Sequence, residues 1–149
     1  MREWFGDRPW LIALLAGLLV QIMKFLADWG RHQRPNFRIL TSTGGMPSSH
    51  SAGVCALTTA IGLREGFTSA LFGVSLYFSL IVMYDATGLR RNAGMQAAVL
   101  NRIVDEVLIH HRRAGETRLK ELLGHTPREV LVGAGLGILF AVALAPPVR

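Results

Sequence analysis

The sequence predicts an all-α fold: an integral membrane helical bundle of about four transmembrane helices, with amphipathic helices on the cytoplasmic side. Three observations predict it. Half of the 149 residues are apolar and only 17% are charged, where a soluble domain carries about a quarter, and the mean hydropathy is +0.34. Stretches without Asp, Glu, Lys or Arg run over residues 9–23, 39–63, 66–84 and 130–148, and about 17 to 20 helical residues cross a hydrocarbon layer of about 30 Å. The basic residues, finally, gather on one side of those stretches. A single Cys55 excludes an intramolecular disulfide framework, and no low-complexity tract suggests disorder. The chain is expected to form one membrane-embedded domain over 1–149.

The elements follow in order. The first span, about 9–27, is short unless Lys24 snorkels and leaves its ammonium near the head-groups. A cleaved signal peptide is the rival reading, but Glu3 and Asp7 offset Arg2 and Arg8, and no small-x-small site precedes Lys24. The second stretch opens on polar Thr41-Ser42-Thr43-Gly44-Gly45, so its helix is expected to start at Pro47 and span about 47–63. The third and fourth spans fall at about 66–85 and 127–146. Between them Val99, Leu100, Ile103, Val104, Val107 and Leu108 recur at helical spacing with Asn101, Arg102, Asp105 and Glu106 interleaved, which reads as an amphipathic helix. Such a stripe packs on its own protein, lies on the bilayer or forms a homodimer contact, and the sequence leaves these open. A short helix is expected at about 116–123, ending at Gly124.

Arg2, Arg8, Arg64 and Arg149 flank one side of the spans, and the other twelve basic residues flank the opposite side. The positive-inside rule then places both chain ends outside and segments 28–46 and 87–126 in the cytoplasm, with the cell (inner) membrane as the expected location. A basic face toward anionic lipid head-groups accounts for the net charge of +6 without nucleic acid as a partner.

The chemistry-bearing residues gather at the cytoplasmic helix ends. Gly44-Gly45-Met46-Pro47-Ser48-Ser49-His50-Ser51-Ala52 opens the second span, where free N–H groups and the positive end of the helix dipole suit an anion such as phosphate. Tyr84-Asp85-Ala86-Thr87-Gly88-Leu89-Arg90-Arg91 closes the third; paired arginines fork onto phosphate oxygens, and Asp85 is placed to hold one guanidinium, although positive-inside anchoring alone also explains the pair. Leu123-Gly124-His125-Thr126-Pro127-Arg128-Glu129-Val130 opens the fourth, where Thr126-Pro127-Arg128-Glu129 reads as a capping box. His125 is not needed for that cap and is expected to face the same interfacial pocket as His50. These residue types suit phosphoryl transfer: cations and helix-start amides neutralise phosphate, one neutral imidazole attacks phosphorus, and a second, protonated, gives its proton to the departing alkoxide. A carboxylate on the other ring nitrogen of the attacking imidazole fixes its tautomer.

Together the three motifs resemble the divergent type 2 phosphatidic acid phosphatase family, related to lipid phosphate phosphatases and vanadium haloperoxidases, over about residues 21–138. The resemblance implies His50 as the acid, with Ser48 and Ser49 near the phosphate; His125 as nucleophile and Glu129 as its orienter; and Lys24 as a phosphate contact. It also implies a metal-independent hydrolase that needs no cofactor and passes through a phosphohistidine. The superfamily's first motif sets Arg-Pro six residues after Lys, whereas Arg34-Pro35 follows Lys24 after nine. Leu119 stands where the third motif has Arg, so either Lys120 or Arg118 substitutes or Arg90 and Arg91 supply that contact, the latter being favoured.

Other residues read more plainly. His32, His110 and His111 are expected at the surface; Phe72, Tyr77, Phe78 and Met83 face lipid or pack; Gly133, Gly135 and Gly137 permit close helix contact. A metal site from His50, Asp85, His125 and Glu129 lacks any close ligand pair, and a serine nucleophile at Ser49 or Ser51 lacks the strand–turn–helix setting. Two function classes remain. One is a lipid phosphatase acting at the cytoplasmic leaflet on a phosphatidylglycerophosphate- or phosphatidic-acid-type monoester, or on an undecaprenyl-diphosphate-type substrate. The other is a non-catalytic lipid-binding or assembly protein that keeps the anion pocket.

Overall fold

A computed structural model describes residues 7–41, 45–107, 119 and 124–145, with the backbone alone at 41, 89–91 and 107. The expected short helix at 116–123 therefore lies outside the described residues. Five α-helices are present among them: α1 Pro9–His32, α2 Ser49–Glu65, α3 Ala70–Thr87, α4 Leu89–Val107 and α5 Pro127–Leu144, with a 3-10 turn at Phe37–Thr41.

Helix α1 begins on a proline, whose missing N–H belongs to the turn that has no acceptor. Its buried residues are Ile12, Ala16, Val20 and Lys24, one stripe at four-residue spacing. Leu14, Leu18, Ile22 and Leu26 point outward. Trp10 and Trp29 are exposed near its two ends; nineteen residues at about 1.5 Å each put them about 28 Å apart, a spacing suited to the two membrane interfaces. The helix runs past the expected end at 27. The chain then turns at Gln33, whose N–H donates to Trp29 O at 2.8 Å, and folds the 3-10 turn back so that Phe37 stacks on Phe25.

Helix α2 is the centre of the bundle, and α1, α3 and α5 all pack on it. It starts at Ser49 rather than Pro47, because Ser48 caps it through a side-chain oxygen that accepts from Ser51 N. Ser51, Ala52, Cys55, Ala56, Thr58, Ala60, Ile61 and Gly62 are buried along its 17 residues. Among the described residues, three helical stretches are long and apolar enough to cross a membrane, Pro9–His32, Ala70–Glu106 and Pro127–Leu144. The expected second span is not among them: α2, at 17 residues, is one residue shorter than the shortest of these, and because α1, α3 and α5 pack on it, small and hydroxyl-bearing residues take the place of large apolar ones.

Close approach fixes the packing. A Cβ on Gly133 would run into the carbonyl oxygen of Ser48, and one on Gly137 into that of Ala52, so the α5 backbone rests directly on α2. On the α1 side, Gly17 lies against Ser49 and Gly53 against Ala13, making α1 and α2 antiparallel. At the end of the bundle away from Ser48, Ile12, Ala16, Ala56, Ala60, Ala141 and Ala145 form the core, with Leu63, Phe140 and Leu144 against it. Helix α3 joins α2 through hydroxyls: Thr58 donates to Ser75 O at 3.0 Å and Ser79 to Val54 O at 3.0 Å.

Helix α4 follows a break at Gly88 and touches the rest of the bundle mainly through α3. Its buried positions are Gly94, Ala97 and Asn101. The expected apolar stripe faces out, with Val99, Leu100, Ile103 and Val104 exposed rather than packed on this chain; the Val107 side chain and Leu108 lie outside the described residues.

Candidate functional site: a buried histidine and lysine at converging helix ends

The start of α5 is tied to two other helices by main-chain bonds. The His125 N–H donates to Ala86 O near the end of α3, at 2.9 Å, and the Ser48 N–H donates to Glu129 O at 3.0 Å. Three helix ends therefore meet where the sequence motifs fall.

Thr126, Pro127 and Glu129 form the expected capping box: the Glu129 N–H donates to Thr126 Oγ1 at 3.4 Å, and the Thr126 N–H donates to Glu129 Oε2 at 3.0 Å. The same Oε2 lies 3.0 Å from His125 Nδ1. One atom thus serves the cap and meets the imidazole, and the two readings of Glu129 do not compete. An ionised carboxylate only accepts, so the ring nitrogen facing it, Nδ1, carries a proton, and in the neutral tautomer the lone pair is on Nε2. His125 is 5% exposed and Glu129 is 21% exposed, so the pair is shielded while the carboxylate keeps an edge toward water.

Lys24 completes the cluster. It is 7% exposed and feels the Glu129 carboxylate electrostatically. Its position corrects the snorkelling expectation: Lys24 continues the Ile12, Ala16, Val20 stripe toward the protein, with two further helical turns of α1 beyond it. That four-residue spacing was the signal available in the sequence.

The remaining candidates are placed less uniformly. Ser48 is fully buried, and its Oγ accepts from the Ser51 N–H at 3.3 Å and from Ser51 Oγ at 2.9 Å, so its lone pairs serve the helix start while neither bond uses its own O–H. Ser49 is half-buried against α1, and Asp85 is half-buried beside Ala86. His50 is on the first turn of α2 at the same end of the bundle, and it is exposed. It precedes Ala52, which meets α5, by two residues, or about 200° of helix turn, so its Cβ leaves α2 on the side away from α5. The structure thus joins His125 to Glu129 and Ser48 to the Glu129 main chain, sets Lys24 within electrostatic reach of Glu129, and leaves His50 exposed at the α2 start. Arg90 and Arg91 lie on the first turn of α4 with side chains outside the description, and Lys120 lies outside the described residues. Among the described residues, no three His, Cys, Asp or Glu side chains gather closely enough to hold a metal ion.

Sequence reasoning missed Asn101. It is 8% exposed and grips the Leu119 backbone from both sides, donating to Leu119 O at 2.9 Å and accepting from Leu119 N at 3.1 Å. The clamp fastens the chain six residues before His125 onto α4.

A helical membrane protein whose converging helix ends enclose a histidine–carboxylate pair and a lysine is the class that fold and site define. The chain belongs to the divergent PAP2 family, whose model matches residues 5–140. It is similar, at 44% identity, to the "Uncharacterized membrane protein YuiD" of Bacillus subtilis (strain 168), over 96% of this chain and 97% of that one. No solved structure matches the chain.

Proposed function

We propose that this protein is a metal-independent phosphatase of a membrane lipid phosphomonoester, of the phosphatidylglycerophosphate or phosphatidic acid type, acting at the cytoplasmic leaflet of the cell membrane. The observation that carries the reading is the buried His125 Nδ1–Glu129 Oε2 contact of 3.0 Å. In this reading Nε2 of His125 attacks phosphorus in line and the bond from phosphorus to the lipid alkoxide breaks. The alkoxide takes a proton from His50 or from water, and water then hydrolyses the phosphohistidine to release phosphate. Glu129 stabilises the positive ring as it forms, and Lys24 neutralises phosphate charge in a water-poor setting. Arg90, Arg91 and Lys120 remain candidates for the outer phosphate contacts, with Asp85 holding one guanidinium. Ser48 and Ser49 contribute through the α2 start.

A second reading has a specific observation in its favour. The exposed position of His50 at the α2 start, unlike the buried His125, suits a protein that binds a lipid phosphate without turning it over. Phosphate release by the detergent-solubilised protein from phosphatidic acid and phosphatidylglycerophosphate separates the two. EDTA-resistant turnover that is inhibited by vanadate and lost in His125→Ala is expected for the phosphatase. Retained lipid binding without turnover would establish the second reading. Comparing leaving groups then tests the acid: His50→Ala should slow a lipid alkoxide ester more than p-nitrophenyl phosphate, whose leaving group scarcely needs a proton, and equal losses would remove His50 from that role.

A further inference from the structure

Beside the polar cluster, α3 and α5 touch only lightly, and between them lies an open groove of about 580 Å³. Ile81, Met83 and Tyr84 form one wall, and Pro127, Val130 and Leu131 form the other. Its lining is apolar: the Thr87 hydroxyl at its edge bonds back to Met83 O and Tyr84 O of its own helix. One end of the groove lies level with the site: the His125 N–H donates to Ala86 O between α3 and the start of α5, next to Thr87 and Pro127, which line the groove, while His125, Glu129 and Lys24 lie outside its lining.

An occupant that runs from the groove to the neighbouring His125 would be apolar along most of its length and anionic at its head. A peptide helix or a second copy of this chain supplies the apolar part without the anion. A phosphomonoester lipid supplies both, and the volume is within the range of about 300–1,000 Å³ usual for ligand sites. From Ile81 to Thr87 the wall runs six residues, or about 9 Å, which suits the carbons of one chain next to the head-group, the remainder continuing into the bilayer.

We propose that the α3/α5 groove seats one acyl chain of a phosphomonoester lipid whose phosphate lies at His125 and Lys24. This rests on the lipid-phosphate reading of the site, and the test keeps the two apart. Full-length protein in nanodiscs is photolabelled with phosphatidic acid carrying a diazirine in one acyl chain and, separately, with phosphatidylcholine carrying the same chain. The expected result is at least fivefold more labelling of residues 80–87 and 127–131 by phosphatidic acid, with the excess lost in Lys24→Met. Equal labelling by both lipids means ordinary boundary lipid, and labelling by neither means that a second copy or another segment covers the groove; either result overturns the proposal, whether or not any lipid is turned over. In the kinetic arm, Leu131→Trp and Ile81→Trp fill the groove. They should raise KM for phosphatidic acid at least tenfold while leaving kcat/KM for p-nitrophenyl phosphate within twofold. Parallel losses on both substrates, or unchanged KM for the lipid, count against the groove. Absence of turnover on either substrate by the unmodified protein defeats the phosphatase reading and leaves the labelling result to decide the groove.

Discussion

The two ends of the helical bundle are built from the same three helices by opposite means. At one end Ile12, Ala16, Ala56, Ala60, Ala141 and Ala145 bring α1, α2 and α5 together through small apolar side chains. At the other, the same helices enclose Lys24, Ser48, Ser51 and His125, all under 9% exposed, and main-chain bonds join the start of α5 to α2 and α3. A buried charge inside a membrane protein is costly and marks a functional position. The difference between the ends therefore separates what holds the helices from what the helices hold. Substitutions at the two ends should consequently move different observables.

The largest effect is expected at the α2/α5 contact between the two ends. Gly137→Leu drives a side chain into the Ala52 backbone, which neither helix can yield without parting. We expect a loss of at least about 3 kcal/mol, read as failure to purify a monodisperse protein or as a collapse of the thermal unfolding temperature in detergent. A normally folded Gly137→Leu would mean that α5 does not rest on α2.

At the polar end, stability and activity should come apart. His125→Ala is expected to abolish phosphate release while lowering the unfolding temperature little. Glu129→Gln separates the two duties of one oxygen more finely. Gln is an accepted partner in a capping box, so the helix start survives and stability should fall by no more than about 0.5 kcal/mol. The neutral amide no longer stabilises a positive imidazole, and turnover should fall about 10²-fold. Parallel losses would reduce Glu129 to a cap. Lys24→Met should likewise lower kcat/KM by about 10-fold or more; it relieves the desolvation of a buried ammonium but takes a counter-charge from Glu129, which is 21% exposed, so the loss of stability should stay below the roughly 3–5 kcal/mol of a fully buried broken pair.

How much of this was legible depends on what each residue meets. Helices α1, α3 and α5 face lipid over much of their surface, so hydropathy marks them. Helix α2 is surrounded by protein, and its Gly, Ala, Ser and Thr residues give a weak hydropathy signal although the motif at its start was plain. The capping box was readable at Thr126 and Glu129 because it is local. That Glu129 Oε2 also meets His125 depends on rotamers, which spacing does not specify. The inward direction of Lys24 was present in the four-residue stripe of α1 but competed with snorkelling, an equally ordinary fate for a lysine near a span's end. The outward side of His50 depends on the rotation of α2, and that is set by the glycines of α5, far away in sequence. The grip of Asn101 on Leu119 is a contact between segments and has no local signature at all.

The smallest effect is expected at the α2/α3 seam, which belongs to neither end. Thr58 and Ser79 have two hydroxyl protons for three short contacts: Thr58 to Ser75 O at 3.0 Å, Ser79 to Val54 O at 3.0 Å, and one another at 2.7 Å. Thr58→Val keeps the shape and leaves Ser79 its carbonyl acceptor, so no buried donor is stranded. Hydrogen bonds between membrane helices contribute only about 0.6 kcal/mol on average, because the separated helices also find partners. A loss of about 0.5 to 1.5 kcal/mol is therefore expected, with phosphate release unchanged. Ser79→Ala should cost about the same, and the double variant less than the sum, because each hydroxyl already serves the other. Strict additivity would show two independent contacts rather than one shared ladder. A loss as large as that of Gly137→Leu would move the anchor of the bundle from the small-residue contact of α5 to the hydroxyls of α3.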